Sequence, residues 1–286
     1  MNLKGKHILI TAGPTREYID PVRFISNDSS GAMGIALAHA AKKVGARVTL
    51  ICGPVNPPQP PFFKGGYAHV PPLCKGGHAR VFPLCKGGYA RVSPLCKGGR
   101  GGIFDVISAR EMFATVKKYY MRADIIICAA AVSDWRPARC SRRKIKKNEC
   151  VAEPFGVPSI DGRLKPSATF SGRASSATTI LKLVQNPDIL AWLGRNKKKR
   201  QCLIGFALET ENVIKNAIKK LNAKRCDIIV ANHVSAIGAQ RVSATIISKG
   251  GVKRVVTNRA KQVIAREILK TGEKWMRSFF QGSNSR

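Results

Sequence analysis

Acidic residues are scarce in this 286-residue chain: 16 Asp and Glu stand against 50 Lys and Arg, a formal charge of +34. An excess of that size points first to nucleic acid or another polyanion. Aromatic residues are also few, at 7%, and no helix-turn-helix, RNA-binding sheet motif or zinc finger can be read that would put the charge to such use. No apolar stretch nears the roughly 18 residues of a membrane helix. The longest, Ile125 to Val132, is far shorter. The opening Met1-Asn-Leu-Lys-Gly-Lys-His7 lacks the signal-peptide order of basic, long apolar and small residues, so a cytoplasmic protein without a membrane partner is expected. None of the nine cysteines forms a Cys-x-x-Cys pair, so neither a disulfide framework nor ordinary zinc-site spacing is indicated. What the chain does have is apolar content, 44%, ample for a core.

Apolar runs alternate with helical patterns. His7 to Thr11 reads as a buried strand ending at Gly13-Pro14, a helix starts at Gly31, and Gly45 to Cys52 is the next strand. Strand, helix, strand at this spacing is a βαβ unit with parallel pairing. Ser108-Ala-Arg-Glu111 is a capping box for a helix whose apolar face is Met112, Val116 and Tyr120. Asp124 to Val132 is apolar on both faces, as a central parallel strand should be. Leu203 to Ala207, a helix over Glu211 to Ala223, and Asp227 to Asn232 follow. Two short strands, Ala244 to Ser248 and Val252 to Val256, precede a last helix from Arg259 to Lys274. The expected fold is α/β: one domain over residues 1–286 with a doubly wound, mostly parallel Rossmann-like sheet and helices on both faces.

Two stretches interrupt it. Residues 60–102 hold an eleven-residue repeat, as in Pro71-Pro-Leu-Cys-Lys-Gly-Gly-His-Ala-Arg-Val81, with proline and paired glycine in each copy. These units oppose helix and central strand and are too short for a solenoid, so a flexible surface insertion is expected. Its deletion is expected to leave folding largely intact. A metal cluster of Cys74, His78, Cys85 and Cys96 is the sharper alternative, but the spacing matches no familiar ligand pattern. Residues 148–178, rich in Ser, Gly and Pro, read as a second insertion. Much of the basic excess lies in these parts: residues 55–104 carry seven basic and no acidic residues, and 136–200 carry sixteen against four.

Ligands of such a sheet bind at the carboxyl ends of its strands, and four groups of polar residues stand there. Ser26 to Gly34 runs into a helix start, where free N–H groups attract phosphate or simply mark a capped helix. Ala129 to Arg136 offers small residues for a flat ligand and Asp134 for a sugar hydroxyl or metal, unless it is an ordinary strand exit. Lys144-Ile-Lys-Lys147 suits a triphosphate or is a solvated basic run. Asn186 to Ile189, Gly205-Phe206, and Lys220 with Lys224 one helical turn apart form the fourth group.

In their order, these segments resemble the phosphopantothenate–cysteine ligase family, the synthetase part of the bifunctional coenzyme A biosynthesis flavoprotein. The matching text is Ile8 to Glu17, Ile19 to Asn27, Ser29-Ser-Gly31, Gly45 to Leu50, Ala129 to Pro137, Lys144 to Lys147, Asn186 to Leu190, Gly205-Phe-Ala207, Glu209 to Asn212, and Ile229 to Asn232 with Val234-Ser235. It covers about two thirds of the chain outside the insertions and is closer to the bacterial, CTP-using branch.

The resemblance implies that the phosphopantothenate carboxylate attacks the α-phosphate of CTP to give an acyl cytidylate, and that the cysteine amine then displaces CMP. It implies catalytic roles for Asn27, at the acyl group, and Lys144, at CTP, with Lys146 as the fallback. Arg23, Ser29, Ser30, Gly31, Ala130 and Ala131 fall to phosphopantothenate. Cys128, Ala129, Ala130, Asp134, Asn186, Pro187, Asp188, Ile189, Phe206, Lys220 and Lys224 join Lys144 in the nucleotide site. Mg²⁺ is implied with CTP, its ligands unassigned, together with a homodimer, no flavin in this chain, and a separate phosphopantothenoylcysteine decarboxylase. The alternatives are a catalytically impaired relative or a basic nucleic-acid-binding protein. Departures from the family pattern are Ala32 in place of a basic residue, His233 in place of an aspartate, and 239–244, which lack the usual Gly-Phe with acidic and amide residues.

Overall fold

A computed structural model describes residues 1–55, 91–93, 102–146, 180–251 and 253–282. The second insertion, 148–178, lies wholly outside the described residues, as does the repeat apart from Arg91–Ser93 and Gly102.

The chain begins with β1 (His7–Ala12), every residue of which is buried. A small antiparallel pair, β2 (Arg16–Tyr18) and β3 (Phe24–Ser26), precedes α1 (Ala32–Lys43) and β4 (Arg47–Cys52). Then come β5 (Arg91–Ser93), β6 (Gly102–Asp105), α2 (Ala109–Tyr119) and β7 (Ile125–Cys128). A second small pair, β8 (Trp135–Pro137) and β9 (Leu183–Gln185), leads to α3 (Ile189–Asn196). The remainder is β10 (Cys202–Glu209), α4 (Val213–Ala223), β11 (Ile228–His233), β12 (Arg241–Ser248), β13 (Lys253–Ala260) and α5 (Lys261–Gly282).

Nine strands form the main sheet in the order β13-β12-β11-β10-β7-β1-β4-β6-β5. From β11 to β6 all neighbours are parallel, whereas β12, β13 and β5 pair antiparallel at the edges. The doubly wound reading is therefore borne out. Alternation along the strands divides the core in two. Ile8, Ile10, Ile204, Ile228 and Val230 face a layer containing α1 and α5, while Leu9, Ile126, Leu203 and Ile229 face one containing α2, α3 and α4. The capping box expected over Ser108 to Glu111 is present in its first half, while its return bond reaches one residue earlier. Ser108 Oγ accepts from Glu111 N at 3.3 Å, and the Glu111 carboxylate accepts from Ile107 N at 2.8 Å.

Some elements differ from expectation. The strand read over Asp124 to Val132 stops at Cys128, where its regular register with β1 ends opposite Thr11. Single bonds continue the pairing beyond, Ala129 N to Thr11 O and Ala131 N to Gly13 O. The helix read from Glu211 starts at Val213, after Asn212 in the left-handed region. Arg91–Ser93 in the repeat forms an edge strand beside β6, a place that proline-rich chain tolerates better than a sheet centre.

The pairing of β4 with β6 also corrects the expectation for deleting the repeat. Parallel neighbours need a crossover of about a dozen residues or more, and removing 60–102 would leave only seven residues, 53–59, between Cys52 and what remains of β6. That deletion is expected to abolish the cooperative unfolding transition. Removing a single unit, Pro71–Val81, should move the melting midpoint by less than about 2 °C, since loop length enters stability only logarithmically. Thermal melts of the two deletions check both outcomes.

A candidate nucleotide-binding active site at the strand ends

At the carboxyl ends of β1 and β4 the backbone runs unusually close. A Cβ on Gly53 would lie 1.7 Å from the Pro14 carbonyl oxygen, and one on Gly31 2.6 Å from Val55 Cγ1. Only glycine fits at either position. Gly31 also takes φ 70° as N-cap of α1 and supplies no side chain to the first-turn N–H groups. With no acidic residue in its first turn, this helix start presents open donors and a positive dipole end.

Around that point the structure gathers many of the residues expected from sequence. Asn27 Nδ2 donates to Val132 O at 3.0 Å, which holds the α1 entry loop against the β7 exit. Thr15 links the two sides: its Oγ1 accepts from Ser133 N of the exit at 3.0 Å, and its carbonyl accepts from Ser26 Oγ at the end of β3 at 2.8 Å. Ser29 Oγ accepts from Gly31 N at 3.3 Å. Ala129, Ala130 and Ala131 are partly exposed in the exit loop, and Asp134 is exposed after it. Asn186 Nδ2 donates to Ser133 O at 2.9 Å and its own N–H to Asp134 O at 2.8 Å, so Asn186, Pro187 and Asp188 lie alongside. Arg136 reinforces this join by donating to Gln185 O and to Asn186 Oδ1.

A charged cluster adjoins it on the α3 and α4 side. Asp188 caps α3, accepting from Ala191 N at 2.8 Å, and pairs with Lys224 Nζ at 2.5 Å. Burial raises the Asp188 carboxyl, but Lys224 and the capped N–H outweigh it and hold it below the usual range. Lys220 lies near enough to act on Asp188, Cys128 and Cys226, and forms no ion pair among the described residues. Burial pushes the Cys128 thiol far up and the Cys226 thiol up to about 12, so neither is a nucleophile at neutral pH. Ile189 is buried beneath them.

Phe206 and the lysine segment stand apart. Phe206 is on the opposite face of the sheet from Cys128 and packs toward the α1 and α5 layer, because Gly205 and Ala207 take the other face. Lys144 and Lys146 are exposed, and their segment is fastened at Ile145 to Asp20 and Arg23. Lys147 lies outside the described residues.

Sequence reasoning gave no role to Asn232, at the end of β11. It is only 9% exposed, and its Oδ1 has no hydrogen-bond partner. A buried unpaired acceptor costs about 1–3 kcal/mol unless something meets it. Register pairs Asn232 with Leu208 and puts it on the face of Phe206. Of the departures, His233 keeps one bond that an aspartate would make and adds one that it would not: Nδ1 accepts from Ser235 N at 3.2 Å, whereas Nε2–H donates to Thr210 O at 3.0 Å, which assigns the tautomer. Ala32 opens α1, and Arg241 in the 239–244 stretch opens β12, bonded to Asn258.

A mostly parallel α/β sheet with glycine-lined strand ends, an open helix start and clustered lysines defines a protein of the doubly wound class, whose ligand sites lie at the carboxyl ends of the strands. Residues 3–66, 98–155 and 166–275 match the DNA/pantothenate metabolism flavoprotein C-terminal domain, and the chain belongs to that family. It is 38% identical to the coenzyme A biosynthesis bifunctional protein CoaBC of Bacillus subtilis (strain 168), over 93% of this chain and 51% of that one. With the CoaBC of Borreliella burgdorferi it shares 34% over 94% of this chain and 52% of the other. The chain thus spans about half the length of these curated relatives. The crystal structure of the CoaBC C-terminal domain matches at TM-score 0.63 and 32% identity, covering 96% of this chain and 98% of that one.

Proposed function

We propose that this chain is a CTP-dependent phosphopantothenate–cysteine ligase acting in coenzyme A biosynthesis. The observation that carries the reading is the junction of Asn27 with the β7 exit, hydrogen-bonded onward through Ser133 to Asn186, with Asp188, Lys220 and Lys224 beside it. One edge suits an acyl group and the other a nucleotide phosphate.

In the first half-reaction a carboxylate oxygen of phosphopantothenate forms a bond to the CTP α-phosphorus, and the bond to pyrophosphate breaks. In the second, the cysteine amine adds to the acyl carbon, CMP departs with the mixed-anhydride oxygen, and the amine loses a proton. A carboxylate is a poor acyl donor and the cytidylate a good leaving group, so the protein's part is mainly placement and charge neutralisation. Lys220 and Lys144 bring charge to the phosphates, and the α1 start offers N–H donors. Asn232 offers its unmatched acceptor to the nucleotide from the Phe206 side. Asn27, held by Val132, presents its amide to the acyl group.

When bound with the triphosphate, Mg²⁺ would neutralise part of its charge. Among the described residues no three His, Cys, Asp or Glu side chains gather to cage a metal. A Mg²⁺ bound largely through substrate phosphates and water needs one or two carboxylates, and exposed Asp134 fits that need. No helix of the described residues is long and apolar enough to cross a membrane. Phe24, Trp135 and Leu183 are exposed on the two small sheets, in keeping with a homodimer. The phosphopantothenate-forming side of the pathway is not called on; the product would pass to a phosphopantothenoylcysteine decarboxylase, separate or fused.

Purified protein given CTP, Mg²⁺, phosphopantothenate and cysteine should release pyrophosphate and CMP in equal amounts. Absence of turnover with any nucleotide would leave a catalytically impaired relative as the reading.

A further inference from the structure

Asp20 has a fully buried carboxylate at 0% exposure, far in sequence from the lysine segment that it holds. Its Oδ1 accepts from the N–H groups of Val22 and Arg23, both at 2.8 Å. Its Oδ2 accepts from Arg23 Nε at 2.9 Å, Arg23 Nη2 at 2.5 Å and Ile145 N at 3.2 Å. Arg23 Nη2 also donates to Ile145 O at 2.7 Å. The Ile145 residue is therefore gripped at both its N–H and its carbonyl, and Ser141 N adds a third attachment by donating to Ile19 O at 2.8 Å. Burial alone would raise the Asp20 carboxyl, but the Arg23 guanidinium and the three N–H groups hold it well below the carboxylate range. It is a fixed anion at neutral pH.

Burying a carboxylate is costly unless its partners are in place. Here all the partners are either the arm that carries Arg23 or the segment that carries Lys144. The Arg23 side chain remains 50% exposed, and its Nη1 makes no hydrogen bond among the described residues. One face of the guanidinium is thus committed to the clasp while the other is open to an anionic ligand.

We propose that Asp20 is a positioning residue for both substrate sites: its carboxylate fixes Arg23 toward phosphopantothenate and, through Ile145, fixes Lys144 toward the CTP phosphates. The inference rests on the ligase reading for the identity of the ligands, but not for the clasp itself. Its consequence is coupling. Whatever pulls Arg23 into place also sets the backbone beside Lys144, so each substrate should tighten binding of the other.

Asp20→Asn in the full chain tests this with two readouts. Without substrates, trypsin should cut after Arg143 at least roughly tenfold faster than in the parent, the change expected when charge-assisted bonds are lost. With substrates, KM for CTP and KM for phosphopantothenate should each rise roughly tenfold, while turnover at saturation falls less than about threefold, and the mutual tightening should disappear. Should Asp20→Asn fail to fold, Ile145→Pro removes the Ile145 N–H donor at the protein surface and should reproduce the faster cutting and the higher KM for CTP. Unchanged cutting after Arg143 overturns the clasp. Faster cutting with both KM values unchanged overturns the positioning role. If the parent has no ligase turnover, the ligase reading fails while the proteolysis still decides whether Asp20 holds the lysine segment.

Discussion

Changing Asn27 to Asp is expected to slow formation of phosphopantothenoylcysteine by about a hundredfold while pyrophosphate release persists, the loss typical of a removed oxyanion-type donor. The reason lies in one hydrogen bond. Asn27 Nδ2 donates to Val132 O at 3.0 Å, and an aspartate oxygen would face that carbonyl oxygen with no proton between them. The side chain would swing away, and its negative charge would oppose the charge that builds on the acyl oxygen as the amine attacks. Cytidylyl transfer at the α-phosphorus does not use that amide and should continue. Quenched reactions should therefore contain an accumulated acyl cytidylate. An unchanged product rate would take Asn27 out of the transfer step.

Gly53→Ala is expected to destabilise the fold by about 3–5 kcal/mol, at the severe end of single substitutions. The added Cβ would sit 1.7 Å from the Pro14 carbonyl oxygen; that oxygen is backbone and the backbone also fixes the Cβ position, so no rotamer relieves the clash. β4 would have to withdraw from the loop after β1, although Gly53 N donates to Ala12 O at 2.9 Å. Such a loss is a large fraction of the roughly 5–15 kcal/mol that holds a domain folded. Gly250→Ala is the control, since nothing lies within 4 Å of a Cβ there. Denaturant titration should separate the two; a Gly53→Ala midpoint matching that of Gly250→Ala would show that the strand ends yield.

Where burial is two-sided, sequence and structure agree closely. β1, β4, β10 and β11 announce themselves as apolar runs because both faces meet core, and Ser108 with Glu111 marks the start of α2 because capping is local chemistry. The small strands β2, β3, β8 and β9 have three residues each, too few for any period, and owe their shape to distant bonds such as Thr15 with Ser133. Asp188 carried a readable cap signal for α3, masked by its reading as part of a ligand loop. At the site, the meeting of Asn27, Asn186 and the β7 exit followed from strand-end logic. The side taken by Phe206 follows from alternation with Gly205 and Ala207. Asn232 differs: that its oxygen lacks a partner depends on everything around it, and no pattern of residue types contains that fact. The hold of Asp20 on Ile145 is equally invisible, for it joins segments 125 residues apart.

The crossover between β4 and β6 has a further consequence, one for inheritance. Each unit of the repeat is eleven residues, a whole number of codons, so slippage of the underlying DNA by one unit keeps the reading frame. Because the pairing of Thr49 with Gly102 fixes where β6 must begin, the connection can gain or lose copies without altering the order of the parallel strands. Sister lineages should therefore differ in copy number here more readily than in any single residue of the flanking strands. The limit comes from the spared residues: if the three full copies, 60–92, vanish, sixteen remain between Cys52 and Gly102, namely 53–59 and 93–101. That is still enough to cross over, whereas loss of the partial fourth copy as well leaves too few, so the locus can shrink to that last copy and no further.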